Sequence, residues 1–263
     1  MAKRININAD LGEGYGHYAI GNDDAILDIV KSVNVACGFH GGDASIMREV
    51  CLKAKANGVS VGAHPGFNDL WGFGRRQIRM SADDLEYLVA YQLGALAGMA
   101  AYAGVKVTHV KPHGALNNMC AVERDYARAV ARAIKVVDPS LYYLALSGTE
   151  MERAAVDLGV PLAREAFIDR LYEDDGNLRA RAHADAMIRD PAVAAARAMR
   201  MVLEGEIVSV NGRRMPTRFD SLCLHGDEPS ALAVAAACCD ALRAAGVELV
   251  TLPEMMQAGG AQE

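Results

Sequence analysis

The sequence predicts an α/β protein, a (β/α) barrel of seven or eight parallel strands. Short apolar segments rich in β-branched residues alternate with longer segments of helical periodicity, the signature of βαβ units and a mainly parallel sheet. Most helical runs end in a glycine directly before the next apolar segment. Polar residues gather on one face at the C-terminal ends of several strands. Right-handed crossovers over that many units close most economically as a barrel, and a doubly wound open sheet is the alternative.

Strands are expected near residues 4–9, 33–37, 59–63, 105–111, 141–146, 162–167 and 220–224. Gly58 precedes VSVGAH, Gly104 precedes VKVTHV, Gly159 precedes VPLAREAF and Gly246 precedes VELVTL. Each glycine can take the left-handed conformation that ends a helix and turns the chain into a strand. Helix starts are marked too. Ser81-Ala-Asp-Asp84 and Thr149-Glu-Met-Glu152 fit the capping box, Asp190-Pro191 fits an N-cap with proline at N1, and Asp43 fits an N-cap. Leu85, Leu88, Val89, Leu93 and Leu96 form a core-facing helical stripe. Two segments break the rhythm. Residues 168–189 read as a long polar loop near the site, and 206–215 as a β-hairpin whose Asn211-Gly212 suits a type I′ turn. Nothing divides the chain, so residues 1–263 read as one domain.

Hydrophobic residues make up 52%, charged residues 23%, and the formal net charge is −6. That balance gives no electrostatic reason to expect nucleic acid or an anionic membrane surface as partner. No apolar stretch has the length needed to span a bilayer, and no signal segment opens the chain. Six cysteines without a framework read as buried, reduced thiols of a cytoplasmic protein.

Residues two apart on a strand share a face. In the first strand Asn6, Asn8 and Asp10 oppose Ile5, Ile7 and Ala9; in the second, Asn34 and His40 oppose Val33 and Val35. The third carries His64, the fourth His109, Lys111 and His113, the sixth Glu165 and Asp169, and the seventh Cys223, His225 and Asp227. The outward face stays apolar while the other ends in ionisable groups, which converge where barrel active sites are built. A lysine on an interior face needs a partner or a task, because burying an ammonium is costly. His109 lies deeper and reads as a core histidine; His17 and His183 read as loop residues. For Asp43 helix capping is the better reading, and for Asp227 capping and a site role weigh equally.

Neutral imidazole and carboxylate groups suit general acid–base work or metal binding. The mix would accept Zn²⁺, Mn²⁺ or Fe²⁺, but no His-Glu-x-x-His or cysteine-based signature indicates a metal. Gly-x-Ser-x-Gly is absent, and Cys120 and Cys223 are weak nucleophile candidates. Gly12-Glu-Gly14-Tyr-Gly16 follows a strand, but its spacing is wrong for a nucleotide cradle.

Six stretches carry a resemblance to the LamB/YcsF family: NADLGEGYG (8–16), NVACGFHGGD (34–43), VGAHPGFNDLWGFGRR (61–76), VKPHGALNN (110–118), FIDRLYEDDGNLRAR (167–181) and LCLHGDEP (222–229). The resemblance implies a barrel related to glycoside hydrolases and deacetylases. It also implies one component of an ATP-dependent 5-oxoprolinase, opening 5-oxo-L-proline to L-glutamate with partner subunits B and C, ATP being a co-substrate of the complex. In that reaction Asp10 with His40 or His64 is expected to activate water. Lys111 and His113 would stabilise the oxyanion or a phosphate, and Asp169 or His225 would protonate the leaving nitrogen. Arg75, Arg76 or Arg170 would hold the substrate carboxylate, and Asn8 and Asp227 are also expected to bind substrate. The rival readings are a stand-alone metal-dependent amidase or carbohydrate deacetylase, and a non-catalytic binding scaffold.

Overall fold

The computed structural model describes residues 3–227 and 229–259. The strands are β1 (Arg4–Leu11), β2 (Ser32–Ala36), β3 (Ser60–His64), β4 (Val107–Val110), β5 (Tyr142–Leu146), β6 (Leu162–Phe167), β7 (Glu206–Val208), β8 (Arg214–Pro216), β9 (Ser221–His225) and β10 (Glu248–Leu249). The helices are α1 (Asp23–Leu27), α2 (Ala44–Ala56), α3 (Ala82–Ala103), α4 (Gly114–Val122), α5 (Arg124–Val137), α6 (Glu150–Leu158), α7 (Pro191–Glu204), α8 (Ala231–Ala244) and α9 (Leu252–Gly259). The expected domain range of 1–263 runs at both ends into residues outside those described.

Strands β1 to β6 and β9 lie side by side, all parallel, and β9 pairs back onto β1 to close a seven-stranded barrel. The short β10 extends the sheet only at the start of β1, opposite Arg4 and Ile5. The pairing register sets the height of each side chain. Asp10 stands opposite Asn34 on one side and His225 on the other, while Asn34 stands opposite Gly62, and Gly62 opposite His109. This ladder crosses five strands and steps down the tilted barrel from Asp10 to His109.

The two faces of β1 show why the chain folds this way. Ile5, Ile7, Ala9 and Leu11 are buried in the shared hydrophobic core. The stripe on α3 joins that core, with Leu85, Val89, Leu93 and Leu96 buried and Leu88 half-buried. The barrel interior is polar, and its asparagines are satisfied. Asn6 donates to Ser32 and to the Val250 carbonyl, Asn8 to Glu165 and Ser221, and Asn34 to Asn8 and Asp10. Buried polar groups are costly unless partnered, and here each asparagine amide spans neighbouring strands and pins their register.

Most helix signals act as the sequence predicts. Asp43, Ser81 and Asp190 accept backbone N–H groups as N-caps, and Gly104 and Gly159 close α3 and α6 in the left-handed conformation. Thr149 does not complete its capping box: its hydroxyl turns back to the Leu146 carbonyl. The hairpin of β7 and β8 forms, but its turn is not type I′. Among the described residues Phe73 alone has a positive φ without being glycine, so Asn211 lacks the conformation that turn demands. Instead the Gly212 amide donates to the Ser209 carbonyl and Gly212 is left-handed at φ 81°, which makes a three-residue loop with a bulge. The 168–189 segment forms no regular element and is tied down by isolated bridges Arg170–Met187, Tyr172–Leu178 and Tyr172–Ser209.

Candidate active site

Asp10 lies near the top of β1, 3% exposed. The Lys111 ammonium, reaching in from beyond β4, donates to both its oxygens at 2.5 and 2.8 Å. Burial opposes the charge of Asp10, but His64 and Lys111 outweigh it and hold the carboxyl well below its ordinary value. Burial would likewise depress Lys111, but Asp10, Cys223 and Glu165 raise it well above its usual range. The pair is therefore ionised. Beneath it Glu165 is also buried, donated to by Asn8, and burial pushes its carboxyl up to about 7. Phe167 covers the ammonium from one side, its ring centre 5.2 Å away.

His64 and His113 stand beside this pair. The His64 Nδ1–H donates to the Lys111 carbonyl at 2.6 Å, and the His113 Nε2–H to the Phe73 carbonyl at 2.8 Å. These backbone contacts lock both rings. Glycines make the space. A Cβ on Gly66 would come within 2.5 Å of the His40 ring, and one on Gly74 within 2.7 Å of His40 and 2.8 Å of His113. A Cβ on Gly62 would meet the His109 ring at 2.2 Å. His109 is the core histidine expected from its depth: it contacts Asn34 at 2.9 Å, and burial lowers it to about 3.

On the opposite wall, Asp169 accepts both the backbone N–H and the Nδ1–H of His225, the latter at 2.9 Å. Burial alone would raise Asp169, yet His225 outweighs it and holds the carboxyl low. Asp10, His64, Lys111, His113 and His225 line one cavity of about 280 Å³, together with Arg75, Arg170, Arg181, Asn117, Asn118 and Phe167. The N-terminal turn of α4 opens onto it at Gly114 and Ala115. A cleft of about 350 Å³ near Gly14 and Val50 is walled instead by Asp23, Asp24 and Glu49, a poor setting for an anion.

Several expected residues fall elsewhere. Asn8 is fully buried one level below Asp10 and spends its amide on Glu165 and Ser221, so it belongs to the barrel interior. Arg76 does not line the cavity; it points to solvent and braces Asp69 in its own loop. Asp227 does not cap α8, whose N-cap is Ser230, but pairs with Arg75 at 2.6 Å. Asp169 stands behind His225 rather than in the cavity. His40 is walled off behind His113, stacked on it at 3.6 Å, and burial and His113 lower it to about 4. Neither cysteine is primed as a nucleophile. Burial raises both Cys120 and Cys223, and neither lines the cavity.

Sequence reasoning missed Glu13, as well as the cavity-lining Arg181, Asn117 and Asn118. Glu13 is 4% exposed, and its Oε1 lies 3.1 Å from His40 Nε2, 3.0 Å from His113 Nδ1 and 3.8 Å from His64 Nε2. Burial opposes its charge, but His113 and His40 hold the carboxyl well below its ordinary value. Strand parity puts Glu13 on the wrong face, but β1 ends at Leu11 and the left-handed Gly12 (φ 69°) resets the alternation. Gly41 packs against the Glu13 backbone, where a Cβ would lie 2.6 Å from its carbonyl oxygen. An acidic residue between two glycines straight after a polar strand end was the available signal. Together Glu13, His40, His64 and His113 are a set that could hold a metal ion.

The LamB/YcsF family model matches residues 5–257. The chain belongs to the LamB/YcsF family. The A subunit of the 5-oxoprolinase of Rhodopseudomonas palustris is 50% identical over 244 residues, covering 92% of this chain and 96% of that protein. Its counterpart in Gluconobacter oxydans is 46% identical over 251 residues, covering 95% and 99%. Among solved structures, the lactam utilization protein of Thermus thermophilus superposes with a TM-score of 0.89 at 45% identity, covering 94% of this chain and 99% of that one. A deacetylase solved with its substrate shares the fold alone, at a TM-score of 0.51 and 16% identity, covering 98% and 92%. Among the described residues of this family member, no helix is long and apolar enough to cross a membrane.

Proposed function

We propose that this chain is the A subunit of a 5-oxoprolinase, a hydrolase that opens the lactam of 5-oxo-L-proline to L-glutamate. One observation carries the reading. A Lys111 ammonium anchored by Asp10 and a His225 imidazole anchored by Asp169 line one small cavity that is also lined by Arg75, Arg170 and Arg181. The substrate is a small carboxylate with a polar cyclic amide, and an arginine-walled cavity of that size suits it. The names of the relatives support the substrate, and their being subunits supports an assembly.

Each group has a role that its partners prepare. The Arg170 side chain, with Arg75, would take the substrate carboxylate; burial and Arg181 lower Arg170 to about 10, so it remains charged at neutral pH. Lys111 would draw electron density from the ring carbonyl oxygen, its own charge balanced by Asp10. His225 would accept a proton from the attacking water through Nε2 and deliver it to the ring nitrogen as the C–N bond breaks. Asp169 is then a positioning residue that fixes the ring and steadies the imidazolium. Both His64 nitrogens face protein groups, which moves the base role from His40 or His64 to His225.

ATP coupling with partner subunits B and C completes the proposal. A five-membered lactam recloses readily because amine and carboxyl are held at high effective concentration. Transfer of the ATP γ-phosphoryl group to the amide oxygen, with ADP leaving, makes the carbon a better electrophile; attack by one water and C–N cleavage then leave an acyl phosphate, which a second water hydrolyses to glutamate and phosphate. The whole chain is read as one cytoplasmic catalytic domain; its six cysteines are all free and buried. The test is glutamate formation from 5-oxoproline with subunits B and C present. ATP-dependent turnover that falls at least about 100-fold in His225→Ala is expected. Turnover without this chain, or unchanged in that variant, would overturn it. The alternative of a metal-dependent amidase or carbohydrate deacetylase is favoured by the Glu13–histidine cluster alone. ATP-independent deacetylation of N-acetyl sugars by the isolated chain would put it in first place.

A further inference from the structure

The cluster behind the cavity has a hydrogen-bonding problem that the protein alone does not solve. A neutral imidazole carries one N–H and one lone pair. His64 spends its N–H on the Lys111 carbonyl, and His113 spends its own on the Phe73 carbonyl, and carbonyls only accept. The remaining nitrogens, His64 Nε2 and His113 Nδ1, therefore face each other with lone pairs at 3.0 Å. Glu13 Oε1, another acceptor, lies 3.0 Å from the second and 3.8 Å from the first. His40 Nε2 approaches the same oxygen at 3.1 Å, and all four donor atoms lie within 4.8 Å of one another. Converging lone pairs in a buried pocket call for a shared cation.

We propose that Glu13, His40, His64 and His113 hold one divalent metal ion of the zinc type, in a tetrahedral three-nitrogen, one-oxygen sphere. Ligand bonds of about 2.0–2.2 Å imply donor–donor edges of roughly 3.3–3.6 Å in a tetrahedron. Four of the six edges are 3.0, 3.0, 3.1 and 3.8 Å, on both sides of that figure. The outer contacts fit as well. Metal-bound histidines characteristically donate their second N–H to a backbone carbonyl or carboxylate, as His64 and His113 do. Imidazoles with one carboxylate suit Zn²⁺ better than the all-oxygen spheres of Mg²⁺ or Ca²⁺.

The two flanking sites keep their own tasks. Asp10 is 3.3 Å from His64 Nε2 but is neutralised by two contacts to Lys111, so Glu13 is the carboxylate free for the ion. His64 and His113 belong to both the cluster and the cavity wall, so an ion there would fix the rings that shape the substrate space. The site does not depend on the identity of the substrate.

The measurement therefore uses the full chain and the metal alone. After removal of bound metal by a chelator, Zn²⁺ binding is followed by calorimetry and its stoichiometry by elemental analysis; Co²⁺ replacement is read by visible absorption. One equivalent per chain is expected, with the intense d–d band of tetrahedral Co²⁺. Glu13→Gln and His40→Ala should each weaken Zn²⁺ at least tenfold. Substoichiometric Zn²⁺ in the unaltered chain, a weak octahedral Co²⁺ spectrum, or unchanged affinity in folded variants would overturn the site. Because the Co²⁺ spectrum is taken on the unaltered protein, the proposal stays falsifiable even where a variant does not fold. Failure here leaves the lactamase reading intact, since no substrate enters the assay.

Discussion

Replacing Lys111 with methionine keeps an unbranched side chain one atom shorter and removes its charge. Lys111 is 1% exposed, and its ammonium touches both Asp10 oxygens, at 2.5 and 2.8 Å. At such a separation and an effective dielectric constant of ~20, the attraction is about 6 kcal/mol. Removing one partner of a buried pair costs about 3–5 kcal/mol, because the other charge remains desolvated. His64 and Asn34 still contact the Asp10 carboxylate and soften the loss. For 263 residues an unfolding entropy of about 2.1 cal/mol/K per residue gives ~0.55 kcal/mol/K, so the melting temperature should fall by about 5–9 °C. Differential scanning calorimetry at pH 7 reads this directly. The double variant Asp10→Asn/Lys111→Met leaves no stranded charge, and should lose about 2 kcal/mol less than the two single losses summed. A Lys111→Met melting temperature within about 1 °C of the parent, or strict additivity in the cycle, would refute a coupled buried pair.

Three further outcomes follow from the same geometry. Glu165 sits at about 7 in the folded protein against an ordinary 4.5, so between those values the folded state keeps a proton that the unfolded chain has lost. Its contribution to stability is full below about 4.5 and is lost as pH rises through about 7; unfolding free energies measured across that window should flatten in Glu165→Gln. Gly62→Ala drives a methyl group into the His109 ring, and should cost about 1–3 kcal/mol in denaturant unfolding; a neutral result would contradict the packing described. Arg170→Gln should raise KM for 5-oxoproline about tenfold or more, whereas Arg76→Ala, which loses only a contact to Asp69, should leave KM within about twofold. Equal effects of the two would contradict the placement of the carboxylate.

Much of the barrel was legible because strand alternation and helix capping are local rules. The apolar face of β1 and its Asn6–Asn8–Asp10 face are separable by parity alone, and the same rule aligns His64, Lys111, His113 and His225 at the strand ends. What the rule does not supply is depth. Asn8 and Asp10 share a face, yet two residues of rise place one in a closed polar interior and the other at the cavity. Nor does it survive a turn, as the left-handed Gly12 before Glu13 demonstrates. Arginines were the hardest to place, because long side chains extend sideways: Arg75 and Arg76 are adjacent in sequence, but only Arg75 lines the cavity. The hairpin turn shows a similar limit, since Asn-Gly is compatible with more than one loop length and the register of β7 against β8 decides between them.

The location of the chemistry is most directly tested by a crystal structure of the chain soaked with 5-oxo-L-proline. The ligand is expected between Lys111 and His225, its ring carbonyl in hydrogen-bond reach of the Lys111 ammonium and its carboxylate against Arg170 or Arg75. Ligand density seated instead in the acidic cleft near Asp23 and Glu49, with this cavity bare, would contradict that placement.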